Sequence, residues 1–322
     1  PAHIAVQGYI KMAAQGRYTD ALALIKKENP FPAVCGRVCN RRCEDACTRG
    51  TIDEAVAIDE VKRFIAQKDL DAETRYIPEK IIPSNRGEFN NKIAIIGGGP
   101  AGLSCAYYLA TTGYRPTVFE KNEKAGGMLT YGIPSYKLEK DVVEAEIDII
   151  RQLGVEIKCG VEVGKDITLD ELRKQGYEAF YIAIGCQGSR KAGIAGEDAD
   201  GVMSAVDILH KIAENHELDL NGKKTVVIGG GNVAVDVARS SKRCGADVLG
   251  MYCLENREEM PASDEEIFET EDEGIEIFNG WGPKEILTEN GKVKGIVLKK
   301  CVAVKDADGK FNPQYDANDT NT

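Results

Sequence analysis

Apolar positions change rhythm once along this chain, near Lys92, and the change organises everything else. Through IAVQGYIKMAAQGRYTDALALIKKEN and again through EAVAIDEVKRFIAQKDL, apolar residues recur at spacings of three and four. That period predicts helices over 1–72, with a cysteine-bearing loop between them. RYIPEKIIPSNRGEFNN, with its two prolines and polar tail, reads as a linker. KIAIIG then opens an α/β pattern, in which short apolar runs alternate with helical stretches.

Within the α/β part the pattern repeats. IAIIGGGPAGLSCAYYLATTGYRPTVFEK at 93–121 and TVVIGGGNVAVDVARSSKRCGADVLGMYCLE at 225–255 each read as strand, glycine-rich turn, helix, second strand and terminal acid. This is the order of a dinucleotide-binding βαβ unit. In the first copy Gly97 permits a sharp turn, Gly99 lets backbone approach a pyrophosphate, and Gly102 lets the helix pack close to the strand. The helix N-terminus suits the phosphates. Glu120 stands where a carboxylate accepts hydrogen bonds from both hydroxyls of an adenosine ribose. In the second copy Gly229 and Gly231 fill the first two places, Ala234 the third, and Glu255 ends the strand. One glycine fingerprint is a weak signal, whereas two whole units require strand, helix and acid to coincide twice.

The two copies differ in their continuations. AGGMLTYGIPSYKL comes after the first, a second glycine stretch that would suit lying along a flavin, with Gly126, Gly127 and Leu129 bringing backbone close to its ring system. YEAFYIAIGCQGSR is expected to form a buried strand over 180–184 that ends at Gly185, where the chain would cross beneath the cofactor. After the second copy, the acidic run ENREEMPASDEEIFETEDEG at 255–274 reads as a solvated helix face.

Composition narrows the class. The 322 residues, 43% hydrophobic, suffice for two or three domains with cores of their own. A net charge of -11 argues against nucleic acid or an anionic membrane surface as the main partner. No apolar run reaches the roughly 18 residues of a membrane span, and PAHIAVQGYI lacks the regions of a signal peptide. A cytoplasmic protein without membrane insertion is expected. In that compartment ten cysteines are not a disulfide framework. Six of them, including Cys105, Cys159 and Cys244, read as small buried hydrophobes. The other four, Cys35, Cys39, Cys43 and Cys47, recur every four residues in CGRVCNRRCEDACTRG. A buried helical stripe would share that spacing, but the neighbours Arg37, Arg41, Arg42, Glu44 and Asp45 are polar. Zinc wants close pairs or histidines, and His3, His210 and His216 lie elsewhere. Basic side chains and backbone N–H groups suit a cluster of net negative charge, so iron–sulfur is preferred.

CGRVCNRRCEDAC, IGGGPAGLSCAYYLA, GGMLTYGIP, AIGCQGSRKAGIAGED, GGGNVAVDVAR and EEMPAS occur in one order over essentially the whole chain. In this the chain resembles the glutamate synthase small subunit family of FAD and iron–sulfur NAD(P)H oxidoreductases. The N-terminal domains of dihydropyrimidine dehydrogenase and the large subunit of electron-bifurcating NADH-dependent ferredoxin:NADP oxidoreductase are its relatives. The resemblance implies an α/β fold: a helical iron–sulfur domain at 1–75, a linker at 76–91, an FAD domain at 92–200 and an NAD(P)H domain at 201–322. It also implies further cysteines before Pro1 and a returning segment beyond Thr322 that completes the FAD domain, so the chain is expected to be an excerpt.

The site residues implied lie in these motifs. FAD would be held by Gly97, Gly98, Gly99, Pro100, Ala101 and Gly102, by Glu120 and Lys121, and by Gly126, Gly127, Leu129, Gly132, Ile133, Pro134 and Lys137. Val163, Ala183, Ile184 and Gly185 complete that set. The nicotinamide nucleotide would lie on Gly229, Gly230, Gly231, Asn232, Val233, Ala234 and Asp236, with Glu255 and Arg257 at the adenosine end. Cys39, Cys43 and Cys47 match ligands of 4Fe-4S clusters, and Cys35 matches a position of variable role. Several relatives complete a cluster with Glu or Gln where Lys62 stands here. A protonated lysine cannot ligate iron, which leaves Cys35, Asp59 and Glu60 as substitutes. NADP-using relatives carry an arginine pair where this chain has Leu254 and Glu255. A carboxylate repels a 2′-phosphate and accepts from a free 2′-hydroxyl, so NAD(H) is favoured over NADP(H).

The function implied passes electrons between NAD(P)H, FAD and iron–sulfur clusters to a partner subunit or domain, ferredoxin-like or an iron–sulfur flavoprotein, as in electron-bifurcating complexes. It requires no catalytic acid or base, because the cofactors carry the chemistry. Two alternatives stand beside it: the glutamate synthase small subunit itself, and a non-catalytic scaffold or electron relay.

Overall fold

A computed structural model describes residues 3–82, 87–215 and 218–322 of the chain. Pro1, residues 83–86 of the expected linker, and His216 lie outside the described residues. The chain divides into two compact units, Pro1–Cys186 and Gln187–Thr322.

The first unit begins with helices, as the three-and-four spacing predicts. α1 (Val6–Ala14), α2 (Tyr18–Lys26) and α5 (Ile58–Leu70) bury Tyr9, Leu22, Ile25 and Ile65 against one another. The Tyr9 hydroxyl donates to the Ile58 carbonyl at 3.3 Å. The expected cysteine loop is more ordered than its sequence indicated. It holds α3 (Pro32–Val38), α4 (Arg42–Asp45) and a 3₁₀ turn at Thr48–Thr51. Pro32 opens α3 at a helix start, where its missing N–H costs nothing. α3 crosses α5 so closely that a Cβ on Gly36 would lie 2.8 Å from the Arg63 Cα.

Next comes a parallel four-stranded sheet in the order β3-β2-β1-β4, built from β1 (Lys92–Ile96), β2 (Arg115–Glu120), β3 (Glu156–Cys159) and β4 (Tyr177–Ile182). α6 (Pro100–Thr111), α7 (Met128–Tyr131), α8 (Lys140–Gln152) and α9 (Leu169–Lys174) connect these strands. Phe31 and Val34 from the helical region share one core with Ile95, Leu103, Val118 and Ile147. A buried charge cluster seals the same junction. Glu146 of α8, 1% exposed, stands 3.4 Å from Lys26 Nζ and 3.5 Å from Arg75, and accepts from the Ala33 N–H at 3.1 Å. The expectation of a buried strand over 180–184 is corrected. β4 ends at Ile182, and Tyr181 and Ile182 are 43% and 58% exposed, because β4 is an edge of its sheet among the described residues.

The second unit repeats the arrangement with α10 (Ala205–Asn215), β5 (Lys224–Ile228), α11 (Asn232–Arg243), β6 (Asp247–Cys253), α12 (Asp264–Asp272) and β7 (Ile277–Asn279). Its parallel strands run in the order β5-β6-β7 over a core of Val227, Val235, Met251 and Ile267. An antiparallel sheet of β8 (Trp281–Glu289), β9 (Lys292–Lys305) and β10 (Phe311–Asn321) comes last. The acidic run is not simply a solvated face. Arg239 of α11, 5% exposed, is paired with Glu266 at 3.5 Å, Glu269 at 2.5 Å and Glu273 at 2.8 Å, so two acids of α12 and its C-cap hold that helix to α11. Of the six scattered cysteines only Cys253 and Cys301 are buried, whereas Cys105, Cys159 and Cys244 are half-buried and Cys186 is exposed.

Candidate functional site

Space at the first glycine turn dictates its residues. Gly97, at φ +107, leads β1 into α6, whose N-cap is Gly99. A Cβ on Gly97 would lie 2.3 Å from the Ala183 carbonyl oxygen, and one on Gly102 would lie 1.9 Å from that of Gly97. Glu120, 5% exposed, accepts from the Gly98 N–H at 2.7 Å and from the Asn122 N–H at 2.9 Å. The second glycine stretch returns to this turn. The Gly126 N–H donates to the Gly98 carbonyl at 2.7 Å, and a Cβ on Gly127 would lie 2.8 Å from the Gly99 Cα. Two separate glycine stretches therefore form one backbone cradle. Bare of side chains at the N-terminus of α6, the cradle fits the pyrophosphate of a dinucleotide.

Beyond the cradle, Leu129 is buried in α7 and Gly132 caps that helix. Ile133 and Pro134 come next, and Lys137 donates its backbone N–H to the Pro134 carbonyl at 3.0 Å. Lys140, which sequence reasoning missed, holds this stretch. Its Nζ donates to the Leu129 carbonyl at 3.0 Å and also to the Ile133 carbonyl. Burial pulls its pKa down to about 8. The other expected residues differ in their surroundings. Val163 packs with Phe119, Leu172 and Tyr177, while Ala101 and Lys121 are exposed. Gly185 meets no close neighbour among the described residues, and Ile184 is exposed. Ala183 and the backbone nitrogen of Ile184, the latter 3.2 Å from a Cβ built on Gly97, are the parts of that segment that reach the turn.

The second turn has the same construction. Gly229, at φ +139, donates its N–H to the Tyr252 carbonyl at 2.8 Å, and Gly231 is the N-cap of α11. A Cβ on Gly230 would lie 3.0 Å from Glu255 Oε2, as one on Gly98 would lie 3.1 Å from Glu120 Oε2. Each terminal acid thus faces the middle glycine of its own turn. Glu255 is held through its backbone: its carbonyl accepts from Asn279 Nδ2 and from the Gly280 N–H, both at 3.1 Å. Burial, and then the Glu255 charge, push the Cys253 thiol beneath this turn up to about 11. Asn232 Oδ1 accepts from the Ser263 N–H at 3.0 Å, Asp236 is buried, and Val233 is exposed. Arg257 pairs with Glu271 at 3.0 Å.

The four clustered cysteines occupy four kinds of position. Cys35 lies within α3, Cys39 is its C-cap, Cys43 lies in α4, and Cys47 is the N-cap of the 3₁₀ turn. Backbone N–H groups of Val56, Arg49 and Gly50 hold the Cys47 thiol below its ordinary range. Burial raises the Cys43 thiol, and the nearby Cys39 adds to this. Burial also raises the Cys35 thiol, which donates to Asn29 Oδ1 at 3.7 Å. Lys62 is buried and stands 2.5 Å from Asp59 Oδ1, so both are committed to each other. Among the described residues no three His, Cys, Asp or Glu side chains converge on one ion. The donor chemistry fits an iron–sulfur centre, which spreads its thiolate ligands over several irons and is stabilised by N–H groups at sulfur.

Comparison with known proteins decides the family. Residues 91–311 match the pyridine nucleotide-disulphide oxidoreductase model, and residues 1–74 match dihydropyrimidine dehydrogenase domain II, 4Fe-4S cluster. The chain belongs to the pyridine nucleotide-disulphide oxidoreductase family. The two matched models pair a flavin and NAD(P)H module with a 4Fe-4S module, so FAD, NAD(P)H and a 4Fe-4S cluster are the cofactors to which these segments correspond. It is 38% identical to the NADP(+)-dependent formate dehydrogenase subunit beta of Moorella thermoacetica, over 97% of this chain and 47% of that protein. It is 36% identical to the glutamate synthase [NADPH] small chain of Escherichia coli (strain K12), over 96% of this chain and 67% of that one. The chain thus spans about half to two thirds of these relatives' lengths. The fold is shared with FprA of Mycobacterium tuberculosis in complex with NADPH, at a TM-score of 0.61 and 20% identity, covering 72% of this chain and 68% of that one. No helix among the described residues is long and apolar enough to cross a membrane.

Proposed function

We propose that this chain takes electrons from NADH at its second glycine turn, holds FAD at its first, and delivers electrons through its cysteine-bearing N-terminal helices to a partner electron-transfer subunit or domain. The observation that carries the reading is the doubled construction, in which each turn has its own acid aimed at a middle glycine that leaves little room for a side chain. Two such cradles suit two dinucleotides. When bound, FAD supplies the conversion between a hydride donor and single-electron carriers.

The protein's share is to bind and orient. The bare cradle of Gly97–Gly99 and Gly126–Gly127 admits a pyrophosphate, and Glu120 supplies a carboxylate for ribose hydroxyls. At the second turn Glu255 is the reason for choosing NADH. Its carboxylate would accept from a 2′-hydroxyl and repel a 2′-phosphate, and the nearest expected cation, Arg257, is occupied by Glu271. Cys39, Cys43 and Cys47, with Cys35, are the residues that would hold the iron–sulfur centre. Ten free thiols suit a reducing compartment, and we place the protein in the cytoplasm.

FAD and iron content of the intact purified protein test this reading. Bound FAD together with bound iron is the expected result. Cys43→Ser and Cys47→Ser should lose iron and keep FAD. Protein that binds neither cofactor after anaerobic reconstitution would replace the reading with that of a scaffold.

A further inference from the structure

The repeat does not stop at the terminal acid. In the first copy the chain leaves Glu120 and comes back to its own turn, where Gly126 donates to the Gly98 carbonyl at 2.7 Å. In the second copy the chain leaves Glu255 and also comes back, and Ala262 donates to the Gly230 carbonyl at 3.1 Å. The last glycine of each turn has a matching neighbour. Around a Cβ built on Gly99 the only heavy atom within 4 Å from beyond its own stretch of chain, among the described residues, is the Gly127 Cα, at 3.8 Å; around one built on Gly231 it is the Pro261 Cβ, at 4.0 Å. EEMPAS is therefore the structural counterpart of AGG, although the two share no sequence.

From this we infer that residues 260–262 form the second wall of the nicotinamide-nucleotide site, with Pro261 beside the pyrophosphate. The inference rests on the assignment of that nucleotide to the second turn. The loop is built to hold still. Met260 and Ala262 are anchored in the core at 8% and 6% exposure, and the Ser263 N–H ties the loop to Asn232 Oδ1, at the first residue of α11. Pro261 alone of the three is exposed. The two walls differ in one respect that suits two ligands. At Gly127 the first cradle has no side chain, so a long cofactor can continue over it toward α7. At Pro261 a pyrrolidine ring stands in that place.

A charge-reversal pair tests the placement. Pro261→Asp and Pro261→Lys are made in the intact protein, and binding of ADP-ribose and of NADH is measured by calorimetry at two salt concentrations. ADP-ribose keeps the pyrophosphate and lacks the nicotinamide. A charge beside bound phosphate predicts that the aspartate weakens both ligands about tenfold relative to the lysine, with a gap that narrows as salt rises. FAD content should not change, because the first cradle is untouched. Equal affinities of the two variants for ADP-ribose would overturn the inference, since a merely structural role responds to the loss of proline and not to the sign of charge. Failure of the wild-type protein to bind either ligand would instead remove the nucleotide assignment itself, and the loop assignment with it.

Discussion

Glu120 and Glu255 hold equivalent places, yet the protein treats them differently. Glu120 satisfies two backbone N–H groups with its own carboxylate, so it supports the turn before any ligand arrives. Glu120→Ala should cost about 1–3 kcal/mol of stability for buried donors left unpaired, visible as a lower urea midpoint, together with loss of FAD. Glu255 faces Gly230 and is fixed by Asn279 and Gly280 through its carbonyl rather than its carboxylate. Glu255→Gln should therefore leave stability nearly unchanged and shrink the preference for NADH over NADPH, as read by the two dissociation constants. Lys140 gives a pH signature. Its pKa falls from 10.5 unfolded to about 8 folded, so between those values the unfolded chain binds more protons and folding is favoured as pH rises. The stability of the wild type relative to Lys140→Met, measured by thermal melts, should increase from pH 8 to pH 10. A flat difference would mean that the ammonium is not buried as described.

Among elements, the junction inside the first unit is the one most exposed to a single substitution. α8 presents Glu146 to Lys26 of α2, to Arg75 and to the first turn of α3, all in one buried place. Glu146→Ala would strand Lys26, itself 1% exposed, and should cost about 3–5 kcal/mol in denaturant unfolding, whereas Glu146→Gln should cost less because it can still accept from the Ala33 N–H. No sequence pattern announces this cluster, since Glu146 lies more than a hundred residues from Lys26 and Ala33 and each charge reads as an ordinary surface group. The βαβ units were legible for the opposite reason: glycines, apolar runs and acids fall at fixed local offsets. Local signals can also be passed over. Asn290 and Gly291, both at positive φ, make the tight turn between β8 and β9, and Asn-Gly between alternating residues is a hairpin signal that reading the region only as part of a nucleotide domain does not use. β4 failed in the other direction. Its apolar residues predict burial, but an edge strand pairs on one side only, and exposure is a property of the sheet rather than of the segment.

At the scale of the whole molecule, the two units repeat one device with different endings, and the N-terminal helices share their core with the sheet and helices of the first cradle. That shared core fixes the cysteine-bearing segment to the first cradle, the place where the proposed function wants a route for electrons out of a flavin. Legibility ended at the cysteines. Four-residue spacing pointed to cluster chemistry, while the commitment of Lys62 to Asp59 could be seen only once α5 was folded. The central claim is that electrons enter at the second turn from NADH and leave through the first unit. Its most direct test is an anaerobic titration of the intact protein with NADH and, separately, NADPH, monitored at the flavin band and at the broader iron–sulfur absorbance. Bleaching of both bands by NADH, and far less by NADPH, is the predicted result. Bleaching by NADPH in preference would contradict the role given to Glu255, and a bound flavin that neither nucleotide reduces would contradict the account as a whole.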